Sequence, residues 1–187
     1  MEQLRDEKRY TYADYCTWDD SGRWELIDGV AHAMAPAPSQ SHQETSSELH
    51  RQIANFLKGK PCKVFAAPFD VKLNIDNNDD TVMQPDLLVV CENSKLDGKS
   101  CNGAPDLVIE ILLPSTARRD RLVKFNVYQR AGVREYWIVD PDTNTVTAHL
   151  LENGKYTTIA YGDAGVAPVS VLPGCEINLG EVFPEQE

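Results

Sequence analysis

The chain has 187 residues, of which 42% are hydrophobic and 25% charged, a mix that matches an ordinary globular domain and argues against disorder over most of the length. The formal net charge of −11 argues against strong non-specific attraction to nucleic acid, which rests on Lys and Arg neutralising phosphates. It leaves room for a local basic groove, and it suits a site that gathers carboxylates around a divalent cation.

Thr11 can cap a short helix running toward Trp18. Asp28-Gly29 separates Arg23-Trp24-Glu25-Leu26-Ile27 from Val30-Ala31-His32-Ala33-Met34 and signals a hairpin, because both turn positions need positive φ. Pro36 and Pro38 mark a loop. Ser41-His42-Gln43-Glu44 reads as a capping box with Ser41 at the N-cap. Leu49, Ile53, Phe56 and Leu57 then recur at helical spacing as far as Lys58, and Gly59 and Pro61 end the helix. Val64 to Ile75 reads as one strand, followed by the polar turn Asp76-Asn77-Asn78-Asp79-Asp80. Pro85-Asp86-Leu87-Leu88-Val89-Val90 is a second strand, apolar enough for burial on both faces. Glu92 to Gly103 reads as a polar loop, and Asp106 to Leu113 as a third buried strand.

Pro114 closes that strand, and Ser115 or Thr116 can cap the next helix. Its core face is read from Leu122, Phe125 and Tyr128, and Gly132 stands where a terminating glycine belongs. Glu135 to Val139 is a fourth strand. Strand, helix and strand in succession make a right-handed crossover, so the third and fourth strands are expected to be parallel. Thr145 to Leu151 and Tyr156 to Tyr161 pair across Asn153-Gly154, and the tail from Val166 adds a further strand. The order is helix, strand, strand, strand, helix, strand, with a hairpin before and a hairpin after.

No stretch approaches the roughly 18–20 apolar residues of a membrane helix, and Met1 to Tyr10 is charged, without the apolar region of a secretory leader. Cys16, Cys62, Cys91, Cys101 and Cys175 show no C-x-x-C spacing. Reduced thiols in a cytoplasmic protein are the expectation, with Cys91 as a small core residue.

Glu110 interrupts the apolar strand Leu107-Val108-Ile109 and Ile111-Leu112-Leu113. A carboxylate there is costly unless it is paired, hydrogen-bonded or metal-bound. Asp86, taken alone, marks a loop-to-strand boundary after Pro85. If the two strands pair, the two carboxylates converge at one end of the sheet, in a donor set that suits Mg²⁺. Lys124 lies four residues after Asp120. It is either half of a surface ion pair or a cation pointing across the sheet to orient a water and stabilise negative charge. Arg118, Arg119, Arg121 and Lys124 cluster in the first turns of that helix, as a solvated face or a phosphate contact. Glu25 is either a third carboxylate or a strand residue on the wet face. His42 stands near a helix N-terminus. Phosphate-binding Gly-rich loops, nucleophile elbows and H-E-x-x-H spacing are absent from the sequence.

Trp24-Glu25-Leu26-Ile27-Asp28-Gly29, Gln84-Pro85-Asp86, Leu107 to Leu112, Arg119-Asp120 to Lys124 and Ala131 to Pro141, in that order, resemble the Uma-type restriction endonucleases, a branch of the PD-(D/E)xK nuclease superfamily. The resemblance runs from about Tyr10 to Phe183. It implies an α/β (α+β) fold of restriction-endonuclease type, with an αβββαβ core around a mixed four-stranded sheet. One nuclease-like domain is expected over 1–187, with its core at about 41–141, an N-terminal helix and hairpin at 11–34 and a C-terminal β extension at 142–183. The resemblance further implies a Mg²⁺- or Mn²⁺-dependent endonuclease acting on DNA. Its metal ligands would be Asp86, Glu110 and the backbone carbonyl of Ile111, and Lys124 would replace the strand lysine that the superfamily carries where this chain has Leu112. Glu25 and His42 match an added acidic residue and a recurrent histidine, and Arg118, Arg119 and Arg121 would meet the phosphate backbone. Leu112 and the negative charge favour the alternative of a weakly active or inactive module that binds nucleic acid or protein. A homodimer would serve the cutting of both strands of a duplex.

Overall fold

Local chemistry accounts for the first elements of the computed structural model, which describes residues 8–18, 23–34, 38–74, 79–113 and 120–183. Helix α1 (Tyr12–Tyr15) starts at Thr11, whose side chain and Asp14 form a reciprocal capping box. Strands β1 (Trp24–Ile27) and β2 (Val30–Ala33) make the expected hairpin, with Asp28 at φ 50° and Gly29 at φ 78°. Helix α2 (Gln40–Leu57) is capped by Ser39 rather than Ser41, because the Ser39 side chain takes the His42 amide and starts the helix earlier. It buries Leu49, Ile53 and Leu57, spaced one turn apart.

The single strand expected over Val64 to Ile75 is two, β3 (Lys63–Ala66) and β4 (Asp70–Lys72), which belong to different sheets. Pro68 stands between them and has no N–H for a ladder, so the chain leaves one sheet there and enters the other. Ile75 lies outside the described residues, as do Pro36, three residues of the expected polar turn (76–78), and the Ser115/Thr116 cap. Strands β5 (Val82–Met83) and β6 (Leu87–Val90) follow. The expected loop from Glu92 to Gly103 carries a short 3₁₀ turn (Asn93–Lys95) and strand β7 (Ser100–Asn102), which pairs in parallel with β4. Its polar residues conceal that strand because three residues are too few to show alternation.

Strand β8 (Leu107–Ile111) is buried at every position. A wide π turn (Asp120–Lys124) leads into α3 (Phe125–Ala131), which Gly132 terminates at φ 86°. The wide turn shifts the helical phase. Leu122 is therefore 56% exposed, against the core role expected of it, while Lys124, Val127 and Tyr128 face inward. Strand β9 (Glu135–Asp140) pairs in parallel with β8, as the crossover requires. Strands β10 (Thr145–Glu152) and β11 (Lys155–Tyr161) form the second hairpin across Asn153 and Gly154. The tail supplies β12 (Val166–Pro168) and β13 (Glu176–Asn178), paired with each other, and α4 (Leu179–Val182).

The main sheet is mixed and six-stranded, in the order β11-β10-β9-β8-β6-β3, so the expected four-stranded core is widened by the second hairpin. The first hairpin joins β5, β4 and β7 in a separate five-stranded sheet. Alternation along the central strands divides the core in two. Leu87, Val89, Leu107, Ile109 and Ile111 pack with α2 and the C-terminal tail. Leu88, Val90, Val108 and Leu112 pack with α3 and the second sheet. Among the described residues no helix is long and apolar enough to cross a membrane.

The cysteines depart from expectation. Cys62 and Cys91 form a disulfide, and Cys91 is half-buried rather than a core residue. Their separation of 29 residues hides the pair in the sequence, but the register Lys63↔Val90 places them opposite each other across β3 and β6. The premise of five reduced thiols therefore does not hold.

Candidate active site

The register of β6 on β8 sets Leu87 opposite Ile109. Continued by one residue, it sets Asp86 opposite Glu110, a relation that holds Cβ atoms about 4.5–5.5 Å apart. Asp86 Oδ2 accepts the Ile111 amide at 2.8 Å, which fixes the carboxylate against the neighbouring strand. In an extended strand a residue's N–H and C=O point to the same side. The Ile111 carbonyl therefore faces Asp86 as well. His42 Nε2, from α2, lies 3.3 Å from the same Asp86 oxygen, while its other ring nitrogen is buried with no hydrogen-bond partner among the described residues.

Glu110 is 4% exposed and Lys124 5% exposed, so both charges need partners. Lys124 Nζ lies 2.8 Å from Glu110 Oε1 and 3.2 Å from Glu25 Oε1. Lys124 thus stands in a buried bridge rather than on the surface; the Asp120 side chain lies outside the described residues. Tyr128 donates its hydroxyl to Glu110 Oε1 at 2.7 Å. Burial, and then the Glu110 charge, push the Tyr128 phenol well above its ordinary range, so it remains a donor. Glu25 also accepts the Gln84 amide at 3.2 Å, tying the lysine to the turn that presents Asp86.

Glu25, His42, Asp86, Glu110, Ile111 and Lys124 all line one cleft of about 400 Å³, as do Arg23, His50 and Gln84. Leu112 packs in the core beside α3. The cation beside Glu110 is Lys124, from the turn before α3. Arg118 and Arg119 lie outside the described residues. Arg121 is half exposed and bonded to Asp140 at 2.9 Å, while Lys124 points inward.

Sequence reasoning assigned Tyr128 to the core and did not weigh Arg23 as a site residue. A Tyr four residues after Lys124 shares its helical face, and that spacing was the available signal for Tyr128. No such signal existed for Arg23, whose guanidinium reaches the Gln84 side chain across strands.

Among the described residues no three His, Cys, Asp or Glu side chains gather closely enough to hold a metal by themselves. The set nonetheless fits Mg²⁺ or Mn²⁺. Two carboxylates and a carbonyl supply hard oxygen donors, and such ions keep much of their water. Glu25, Asp86 and Glu110 against Lys124 and Arg23 leave the cleft lining formally negative, which attracts a cation.

The mixed sheet with its flanking helices is a restriction-endonuclease-like fold. A solved structure described as a putative nuclease belonging to DUF820, from Anabaena variabilis, shares this fold, with a TM-score of 0.74 at 20% identity over 92% of this chain and 97% of that one. The model of the Uma2 family, described as "Putative restriction endonuclease", matches residues 11–180, and the chain belongs to that family. An uncharacterized protein of Synechocystis, slr1290, is 28% identical over 152 residues, covering 79% of this chain and 78% of the relative.

Proposed function

We propose that this chain is a Mg²⁺- or Mn²⁺-dependent endonuclease that hydrolyses phosphodiester bonds in DNA. The observation that carries this reading is the convergence of Asp86, Glu110 and Lys124 on one cleft, with Lys124 held between two buried carboxylates. Asp86, Glu110 and the Ile111 carbonyl would hold the metal, which when bound polarises a phosphodiester and acidifies a water. Lys124 orients the attacking water and offsets the charge that develops on the phosphate oxygens. Glu25 and Tyr128 hold the Lys124–Glu110 pair in position, and His42 holds Asp86. Arg121 and its neighbours Arg118 and Arg119 are the proposed contacts to the phosphate backbone. The chain acts as a single unit on this reading.

The test is cleavage of plasmid and oligonucleotide DNA with added Mg²⁺ or Mn²⁺. Wild type is expected to cut and Glu110→Gln to lose at least about 100-fold, since the metal's contribution is several kcal/mol. Equal cutting by both proteins, or cutting in excess chelator, would remove this reading.

A second reading, a binding module that keeps the fold without cutting, is favoured by Lys124 already occupying Glu110 Oε1. On that reading the same assay shows retained DNA affinity and no product.

A further inference from the structure

On the far face of the five-stranded sheet from Glu25 lies a strip of half-buried aromatic rings. Tyr12 stacks on Tyr15 at 5.8 Å, Tyr15 meets Trp18 at 5.5 Å, and Trp18 meets Trp24 at 5.9 Å between ring centroids. Tyr10 adds a further edge contact to Trp18 at 5.2 Å. All five residues are half-buried, and Lys72 Nζ stands over the Tyr12 ring at 4.8 Å from its centroid.

The strip is continuous with the cleft. The registers Val71↔Met83 and Leu26↔Val82, each carried on to the end of the pair, place Asp70, Gln84 and Trp24 in one row. Gln84 donates to Asp70 at 2.8 Å and to the Tyr15 hydroxyl at 2.9 Å, and its oxygen accepts from Arg23 at 3.2 Å. Gln84 and Arg23 also line the cleft. A strand whose phosphate enters the cleft at Asp86 would pass Arg23 and reach the rings.

Charge selects among substrates. The net charge is −11, and Arg51, Arg121, Arg130 and Arg134 are each bound to a carboxylate. That balance limits the affinity that phosphate neutralisation can supply, the term on which sequence-independent duplex binding rests. Unpaired bases expose π faces, and stacking on Tyr and Trp binds them with tolerance of sequence.

We infer that the Tyr12–Tyr15–Trp18–Trp24 strip is a stacking platform for unpaired nucleobases, so that the substrate is a single strand or an unpaired segment whose phosphate lies in the adjoining cleft. This rests on the nuclease reading of that cleft.

The experiment measures binding of a short fluorescent oligothymidylate, and of a blunt duplex of the same length, by anisotropy without divalent metal. Wild type should bind the unpaired strand roughly tenfold or more tightly than the duplex. Trp18→Leu, which keeps apolar packing but removes the ring, should lose that advantage, and Trp18→Phe should keep most of it. Unchanged affinity in Trp18→Leu, or a preference of wild type for duplex, overturns the platform, even where Trp18→Leu melts at a lower temperature. Metal-dependent cutting of DNA together with unchanged oligonucleotide affinity in Trp18→Leu rejects the platform and leaves the nuclease reading standing. Loss of affinity in Trp18→Leu, with Asp86→Ala cutting as well as wild type, supports the platform while rejecting the metal site.

Discussion

Lys124 Nζ lies 2.8 Å from Glu110 Oε1, and neither side chain is more than 6% exposed. Together with Glu25 the pair forms a bridge that spans three elements, β1, β8 and the turn before α3. A buried ion pair adds little net stability in itself, but removing one partner leaves a buried charge without compensation.

Lys124→Ala is therefore expected to cost about 3–5 kcal/mol in chemical denaturation. Lys124→Met with Glu25→Gln and Glu110→Gln should cost less than Lys124→Ala, since it removes the charges together. A loss below about 1 kcal/mol for Lys124→Ala would mean that the bridge is not formed in solution.

Tyr128→Phe removes a donor to a buried carboxylate and leaves the ring packing unchanged. Hydrogen bonds to charged groups contribute about 1.5–3 kcal/mol, and Tyr128 is fully buried, so water cannot replace the hydroxyl. The variant should lose stability in that range and should also shift the metal midpoint, because Glu110 loses its orientation. A lower melting temperature with an unchanged metal midpoint would limit Tyr128 to a structural role.

The pH dependence of stability should carry a signature from His149. Its ring is 6% exposed among Phe125, Tyr136 and Tyr156, with Nδ1 2.8 Å from the Thr158 hydroxyl. Burial, and secondarily the Arg121 charge, push its pKa down from 6.5 to about 4. The unfolded chain then binds the proton more readily than the folded one between those values. Stability present above pH 6.5 falls as the pH drops to about 4 and levels off below, by ~3 kcal/mol in all. His149→Phe should flatten the curve in that window. An unaltered curve would show that His149 titrates normally.

Much of this arrangement was legible in the sequence. The buried strands, the Asp-Gly and Asn-Gly hairpins and the parallel crossover follow from apolar runs, turn residues and connection rules, whereas the convergence of Asp86 and Glu110 stood open on whether their strands pair. What escaped depends on contacts between residues distant in the chain. The split at Pro68 sends β3 and β4 to different sheets. The Cys62–Cys91 bridge depends on strand register, which no spacing rule reveals. Leu122 turned outward because the π turn shifts the phase on which a 3.6-residue reading relies. Lys124 was left open between surface and site for the same reason, since its partners Glu25 and Glu110 come from other elements.

The most direct test of the central claim is thermal unfolding of wild type and Asp86→Ala, titrated with Mg²⁺ and Mn²⁺. A ligand bound to the folded state alone stabilises by about 2.7 kcal/mol at a hundredfold excess over its Kd. The account predicts a rising melting temperature for wild type, saturating with metal, and no rise for Asp86→Ala. Equal shifts in both proteins, or none in wild type, would contradict a metal site built on Asp86 and Glu110.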